Sequence, residues 1–143
     1  RQVFAALTFD EGLAHRIEAG ADMFLMPSRF EPSGLNQLYS MRYGTVPIVR
    51  RTGGLADSVV DATPEALGDV RATGFVFDAY RPEALLAVIE RALGAFRDPI
   101  TWRRLQEAGM RADFSWRHSA ERYVALFQEV LGRRVSGPAG RSV

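Results

Sequence analysis

SRFEPSGLNQLYSMRYGTVPIVRRTGGLADSV, residues 28–59, decides the fold. It opens with a loop that carries Glu31 between Phe30 and Pro32 and continues into a helix-forming run, Gly34–Tyr43, stopped at Gly44. The apolar run Val46–Val49 follows, then a Thr52-Gly53-Gly54 turn and a short helical segment, Leu55–Val60. Just upstream, Met23–Met26 is apolar throughout and too short for a helix, so it reads as a buried parallel strand. Strand, helix and strand in this order make βαβ units and an α/β fold, a parallel sheet with flanking helices. The loops after parallel strands gather at the carboxyl edge of the sheet, where α/β proteins bind phosphorylated ligands.

Working outward, Val3–Leu7 (VFAAL) reads as a further strand. Asp10 caps a helix with Glu11 in its first turn, Leu13, Ala14 and Ile17 on its apolar face, and Gly20 at its end. Ala62–Thr73 is loop or weak helix with a start signal at Thr63-Pro64, and Phe75–Phe77 is the last strand. The C-terminal third is helical. Leu85, Leu86, Ile89, Leu93 and Phe96 form one stripe, and Asp98-Pro99 breaks it and starts a helix with Trp102 and Leu105. Ser115 is placed to cap a last helix, along which Trp116, Ala120, Tyr123, Val124, Phe127 and Leu131 recur at helical spacing. The tail 132–143 has almost nothing to bury and is expected to be disordered, leaving residues 1–131 as a single, partial domain. The chain opens on Arg1 and runs at once into an apolar segment, the pattern expected of a truncated product or an excised domain.

The 143 residues carry 18 basic and 17 acidic side chains, a formal net charge of +1, so anion binding must come from local geometry rather than a global field. Nucleic acid is an unexpected partner, because the arginines at 50, 51, 133 and 134 are isolated pairs and not a basic stripe with interleaved aromatics. No apolar run reaches the roughly 20 residues of a membrane span. The absence of cysteine excludes a disulfide framework and thiolate metal sites, and fits a cytoplasmic location. There is no HExxH, EF-hand loop, GxGxxG, P-loop, Asp-x-Asp pair or GxSxG.

The chemistry-bearing candidates cluster at the expected sheet edge. Glu31 is either an acceptor for sugar hydroxyls or an exposed loop acid. Gly34, Leu35 and Asn36 open a helix, so their N–H groups lack intrahelical partners and sit at the positive end of the helix dipole, open to water or to a diphosphate. Gly34 lets backbone approach a phosphate closely. Thr52-Gly53-Gly54 is by itself only a tight turn; beside Glu31 it becomes a second wall of one pocket, with Asp57 placed to hold the turn by accepting backbone N–H bonds. Phe9, at the end of the first strand, can stack on a nucleobase or cap the core. His15 and His118 have no partner at ligand spacing and suit surface or interhelix roles.

Three stretches resemble one family, the bacterial glycogen (starch) synthases: residues 28–59, FDEGLAHRIEAGADMFLMP at 9–27, and FSWRHSAERYVALF at 114–127. The resemblance spans most of residues 1–131. It implies part of the C-terminal, Rossmann-like domain of a GT-B fold, in an enzyme that moves glucose from ADP-glucose to the non-reducing end of an α-1,4-glucan with retention of configuration. It implies no metal and no cofactor beyond the donor. It makes Glu31 the acid that contacts the donor glucose and stabilises charge at the anomeric carbon. Leu35 and Asn36 become backbone donors to the distal phosphate, and Phe9 the aromatic that stacks on adenine. Tyr39, eight residues after Glu31, stands where related retaining transferases often carry a second Glu that binds ribose, and Tyr is the usual form in glycogen synthases. Ser33 stands where many members have Cys, and only its backbone is expected to matter.

The family's glycine-rich donor loop with its Lys, the histidine near the reacting sugar, and the Arg and Lys that grip the diphosphate all precede the matched region. The resemblance therefore implies that these residues act with an N-terminal GT-B domain as partner and are inactive without it. Two other readings stay open: a GT-B enzyme using a UDP- or GDP-sugar, and a stand-alone nucleotide- or glucan-binding module. A truncated βα sheet also exposes apolar surface and is expected to dimerise or aggregate.

Overall fold

The central strand of the sheet runs VPIVR, and four of its five residues are buried. The computed structural model describes residues 3–135. The strands β1 (Met23–Met26), β2 (Val46–Arg50) and β3 (Phe75–Phe77) form a three-stranded sheet in the order β1-β2-β3. Both pairings are parallel, with Met23 opposite Val46 and Ile48 opposite Phe75. A proline in a central strand usually deletes a ladder hydrogen bond, but Pro47 does not. The Val46 N–H donates towards β1, to the Asp22 carbonyl, so the nitrogen of Pro47 faces the β3 side, where the ladder starts only at Ile48.

Side chains alternate across the sheet, as the period of two requires. Val46, Ile48, Phe75 and Phe77 enter one core with Val88, Ala92, Trp102 and Leu105. Val49, Val76 and Met26 enter a second with Met41, Leu55 and Val59. Helices α2 (Asn36–Tyr43) and α3 (Gly53–Ser58) supply the second core. Helices α4 (Pro64–Gly68), α5 (Pro82–Phe96) and α6 (Pro99–Arg111) supply the first. Trp102 ties that first core together, stacked on Phe75 at 6.4 Å and edge-on to Phe96 at 5.0 Å.

The helix boundaries follow local chemistry. Asp10 accepts the Leu13 N–H at 2.9 Å and caps α1 (Glu11–Gly20). Gly44, at φ 83°, closes α2 in the left-handed conformation. Thr63 and Asp98 cap α4 and α6, each followed by proline. The final helix, α7 (Trp116–Val135), carries its own ring contact, Tyr123 on Phe127 at 6.3 Å.

Three expectations are corrected. Val3–Leu7 is not a strand; it is irregular and exposed, with Leu7 at 102%. A strand persists only where a neighbour completes its ladder, and no described strand adjoins this segment. Helix α1 buries the flank bearing Glu18 rather than the Leu13–Ala14–Ile17 face, because that flank packs towards α2 and Thr45. Gly53 and Gly54 are the first residues of α3 rather than a turn before it. The chain divides into compact units at 112/113, in the irregular stretch after α6. Helix α7 also continues through 132–135; the remainder of the expected tail, and Arg1, lie outside the described residues.

Trp102→Ala empties the largest aromatic site of the first core and is expected to cost about 3–5 kcal/mol, read as a fall in the urea midpoint at unchanged m-value.

Candidate functional site

The parallel ladder brings the loops after Met26, Arg50 and Phe77 to one edge. The first of these, residues 27–35, carries Glu31 and is held at three points. At its start, Arg50 donates from Nη1 to the Arg29 carbonyl at 2.7 Å and from Nε to the Asp78 carbonyl, with its guanidinium 5.4 Å over the Tyr80 ring. In its middle, the Gly54 N–H is shared between the carbonyls of Glu31 and Pro32, 3.2 Å from each. At its end, Gln37 Nε2 reaches the carbonyls of Ser33 (3.2 Å) and Gly34 (3.1 Å) and the hydroxyl of Ser58 (3.1 Å). Ser58 in turn donates to the Gly54 carbonyl at 2.6 Å, closing a network from α2 to α3.

This packing explains the glycines. A Cβ on Gly53 would lie 1.9 Å from the Glu31 carbonyl oxygen, and one on Gly54 2.0 Å from that of Ser33. Backbone packs on backbone here, which no side chain permits. Gly34 has φ 70°, and its Cβ would meet Gln37 Oε1 at 2.6 Å. Helix α2 begins two residues on, with Leu35 as its N-cap. The N–H groups of Leu35 and Asn36 donate no hydrogen bond among the described residues, and both residues are exposed. Glu31 is half-buried in the loop that leads to them.

A cleft of about 460 Å³ runs between α1 and α2. Phe9, Leu35, Asn36 and Tyr39 line it together with His15 and Glu18. Tyr39 and Tyr43 flank His15, with ring centroids at 5.1 and 6.0 Å, so His15 has the interhelix role expected of it. Glu18 is 5% exposed, and its Oε2 has no hydrogen-bond partner among the described residues. Burial pushes its carboxyl above the usual range, and the charge of His15 opposes the shift.

The candidates thus fall into two adjoining groups. Glu31, Ser33, Gly34, Thr52, Gly53 and Gly54 build the held loop and its support; Phe9, Leu35, Asn36 and Tyr39 line the cleft. Gly34 joins them in sequence. Thr52 caps α3 through its position only, without a side-chain bond. Asp57 is exposed and holds no turn; Ser58 and Gln37 do that work. Arg50 and Gln37 were not legible as site residues: Arg50 acts on carbonyls distant in sequence, and neither belongs to a spaced motif. Among the described residues no group of three His, Cys, Asp or Glu side chains could hold a metal ion, and no helix is long and apolar enough to cross a membrane.

Residues 6–109 match the family described as glycosyl transferases group 1. A glycogen synthase of Dechloromonas aromatica is 57% identical over 133 residues, 93% of this chain and 27% of that protein. One of Anaeromyxobacter dehalogenans is 61% identical over the same shares. The catalytic domain of starch synthase IV from Arabidopsis thaliana, solved bound to ADP and acarbose, superposes with a TM-score of 0.77 at 42% identity, over 86% of this chain and 25% of that one. The chain spans about a quarter of the length of the curated relatives it matches.

Gly54→Ala is expected to displace the Glu31 loop and lower stability by about 1–3 kcal/mol, measured by chemical denaturation. Glu18 gives a pH signature. A carboxyl raised in the folded state contributes stability below its unfolded value, 4.5, and loses it as pH rises through the folded value. Glu18→Gln is therefore expected to flatten the fall in unfolding free energy as pH rises above 4.5, seen in denaturation curves at stepped pH.

Proposed function

The chain belongs to the glycosyl transferases group 1 family, and from that membership we propose that it forms the donor-nucleotide side of an ADP-glucose-dependent glucan synthase. In this reading it is part of the C-terminal domain of a GT-B enzyme that works in the cytoplasm. A facing N-terminal domain completes the cleft, and an α-1,4-glucan is the acceptor. The observation that carries the proposal is the start of α2: the free N–H groups of Leu35 and Asn36 stand at the carboxyl edge of a parallel sheet, directly after the held Glu31 loop.

Each residue then has a role. The distal phosphate of ADP docks on the N–H groups of Leu35 and Asn36, at the positive end of α2. Phe9 stacks on adenine and Tyr39 borders the ribose, both from the cleft. The carboxylate of Glu31 accepts hydrogen bonds from the donor glucose. As the glycosidic bond to diphosphate lengthens, positive charge grows on the anomeric carbon and negative charge on the leaving oxygen. Glu31 stabilises the first and the helix N-terminus the second, which is differential binding of the transition state. Helix N–H groups and basic side chains take the place of a metal. The glucan relatives and the ADP- and acarbose-bound starch synthase support the choice of nucleotide and acceptor.

ADP titrated into ¹⁵N-labelled chain is expected to shift the Leu35 and Asn36 amides, with UDP and GDP weaker. An ADP response confined to other residues, or no response, overturns the assignment. Glu31→Gln is expected to leave ADP affinity unchanged and weaken ADP-glucose about tenfold, the scale of one charge-assisted hydrogen bond.

A further inference from the structure

We propose that Gln37 is a positioning residue: its buried amide holds the carbonyls of Ser33 and Gly34 inward, and thereby turns the N–H groups of Gly34 and Leu35 out towards the ligand. The proposal deepens the nucleotide-site reading above and rests on it.

The argument begins with peptide geometry. In a trans peptide the C=O and the following N–H point in opposite directions, and no peptide bond here is cis. The Ser33 carbonyl shares its peptide with the Gly34 N–H, and the Gly34 carbonyl with the Leu35 N–H. Gln37 Nε2 accepts neither group's N–H; it donates to both carbonyls, at 3.2 and 3.1 Å. The two N–H groups therefore face away from Gln37, and neither donates a hydrogen bond among the described residues. Of the bonds that hold the loop, only those from Gln37 act on these two peptides.

Glutamine at this position is satisfied on one side of its amide only. The residue is 1% exposed, and its Oε1 has no hydrogen-bond partner among the described residues. An apolar side chain of the same size would remove that unpaired acceptor, but it would also strip the Ser33 and Gly34 carbonyls of their donor. What glutamine adds is the pair of carbonyl contacts, and the bond to Ser58 Oγ that ties them to α3. Gly34 completes the device: only a residue without Cβ fits beside Oε1 at φ 70°.

The test uses two variants and two readouts on the whole chain. Gln37→Met keeps the volume and removes the donors. It is expected to weaken ADP binding about tenfold, the scale of one lost hydrogen bond, and to speed exchange of the Gly54 amide, which bonds the same loop, while the Val49 amide in β2 stays protected. Gln37→Glu supplies a carboxylate that repels both carbonyls when ionised and a donor when protonated; Glu31 is the neighbouring acid beside Gly34. ADP affinity of this variant, relative to Gln37→Met at the same pH, is expected to be lower at pH 8 and to recover as pH falls to 5. Wild-type affinity and Gly54 exchange in Gln37→Met overturn the proposal. So does a Gln37→Glu variant that tracks Gln37→Met at every pH. If Gln37→Met also loses Val49 protection, the pH recovery of Gln37→Glu decides. If the wild-type chain binds no ADP, the nucleotide reading fails, and Gly54 exchange alone judges whether Gln37 holds the loop.

Discussion

The parallel pairing of β2 with both neighbours is the constraint on which the rest depends. It puts the ends of all three strands at one edge, so the loops bearing Glu31, Arg51 and Asp78 have no other place to go. It also requires that each connection cross back over a face, and the helices that do so bury the alternating side chains of β2 and β3 in two separate cores. Arg51 and Asp78, paired at 2.7 Å, mark this edge with an exposed ion pair that adds little stability of its own.

The candidate site is built almost wholly from main chain. Its unbonded groups are N–H groups, its support is carbonyl groups, and the side chains of Gln37 and Arg50 act by gripping backbone. Such an arrangement demands close approach, hence glycine at 53 and 54 where the loop lies on the start of α3. It also tolerates local disadvantage: a buried glutamine oxygen without a partner among the described residues is unfavourable in isolation, and it lies within one turn of the free N–H groups. Departures from local rules are expected there if binding sets the geometry.

The cleft between α1 and α2 obeys a different logic. Its walls are side chains, aromatic at Phe9, Tyr39 and His15 and acidic at Glu18. Tyr39 is packed on His15 and so has one ring face committed to the interhelix contact, whereas Phe9 is fully exposed. The two halves of the candidate site thus differ in rigidity of support. The loop is pinned by bonds from two helices and a strand, while Phe9 stands on irregular chain ahead of its helix cap.

The sequence by itself determined the three short strands, the helix starts at Asp10, Thr63 and Asp98, and the stop at Gly44, because these depend on local periodicity and on capping within a few residues. Residues 28–59 also announced the family through a long run of particular side chains. Tertiary structure alone decided the rest. Val3–Leu7 has a strand's composition but no neighbour to complete a ladder. The glycine pair at 53 and 54 looked like a turn, and is the surface on which another loop rests. Gln37 carries no motif; its loop contacts lie three and four residues away, but its tie to Ser58 depends on α3 arriving from 21 residues away. Contacts between segments distant in sequence leave no local pattern, so only the folded chain reveals which polar group is buried and what it holds.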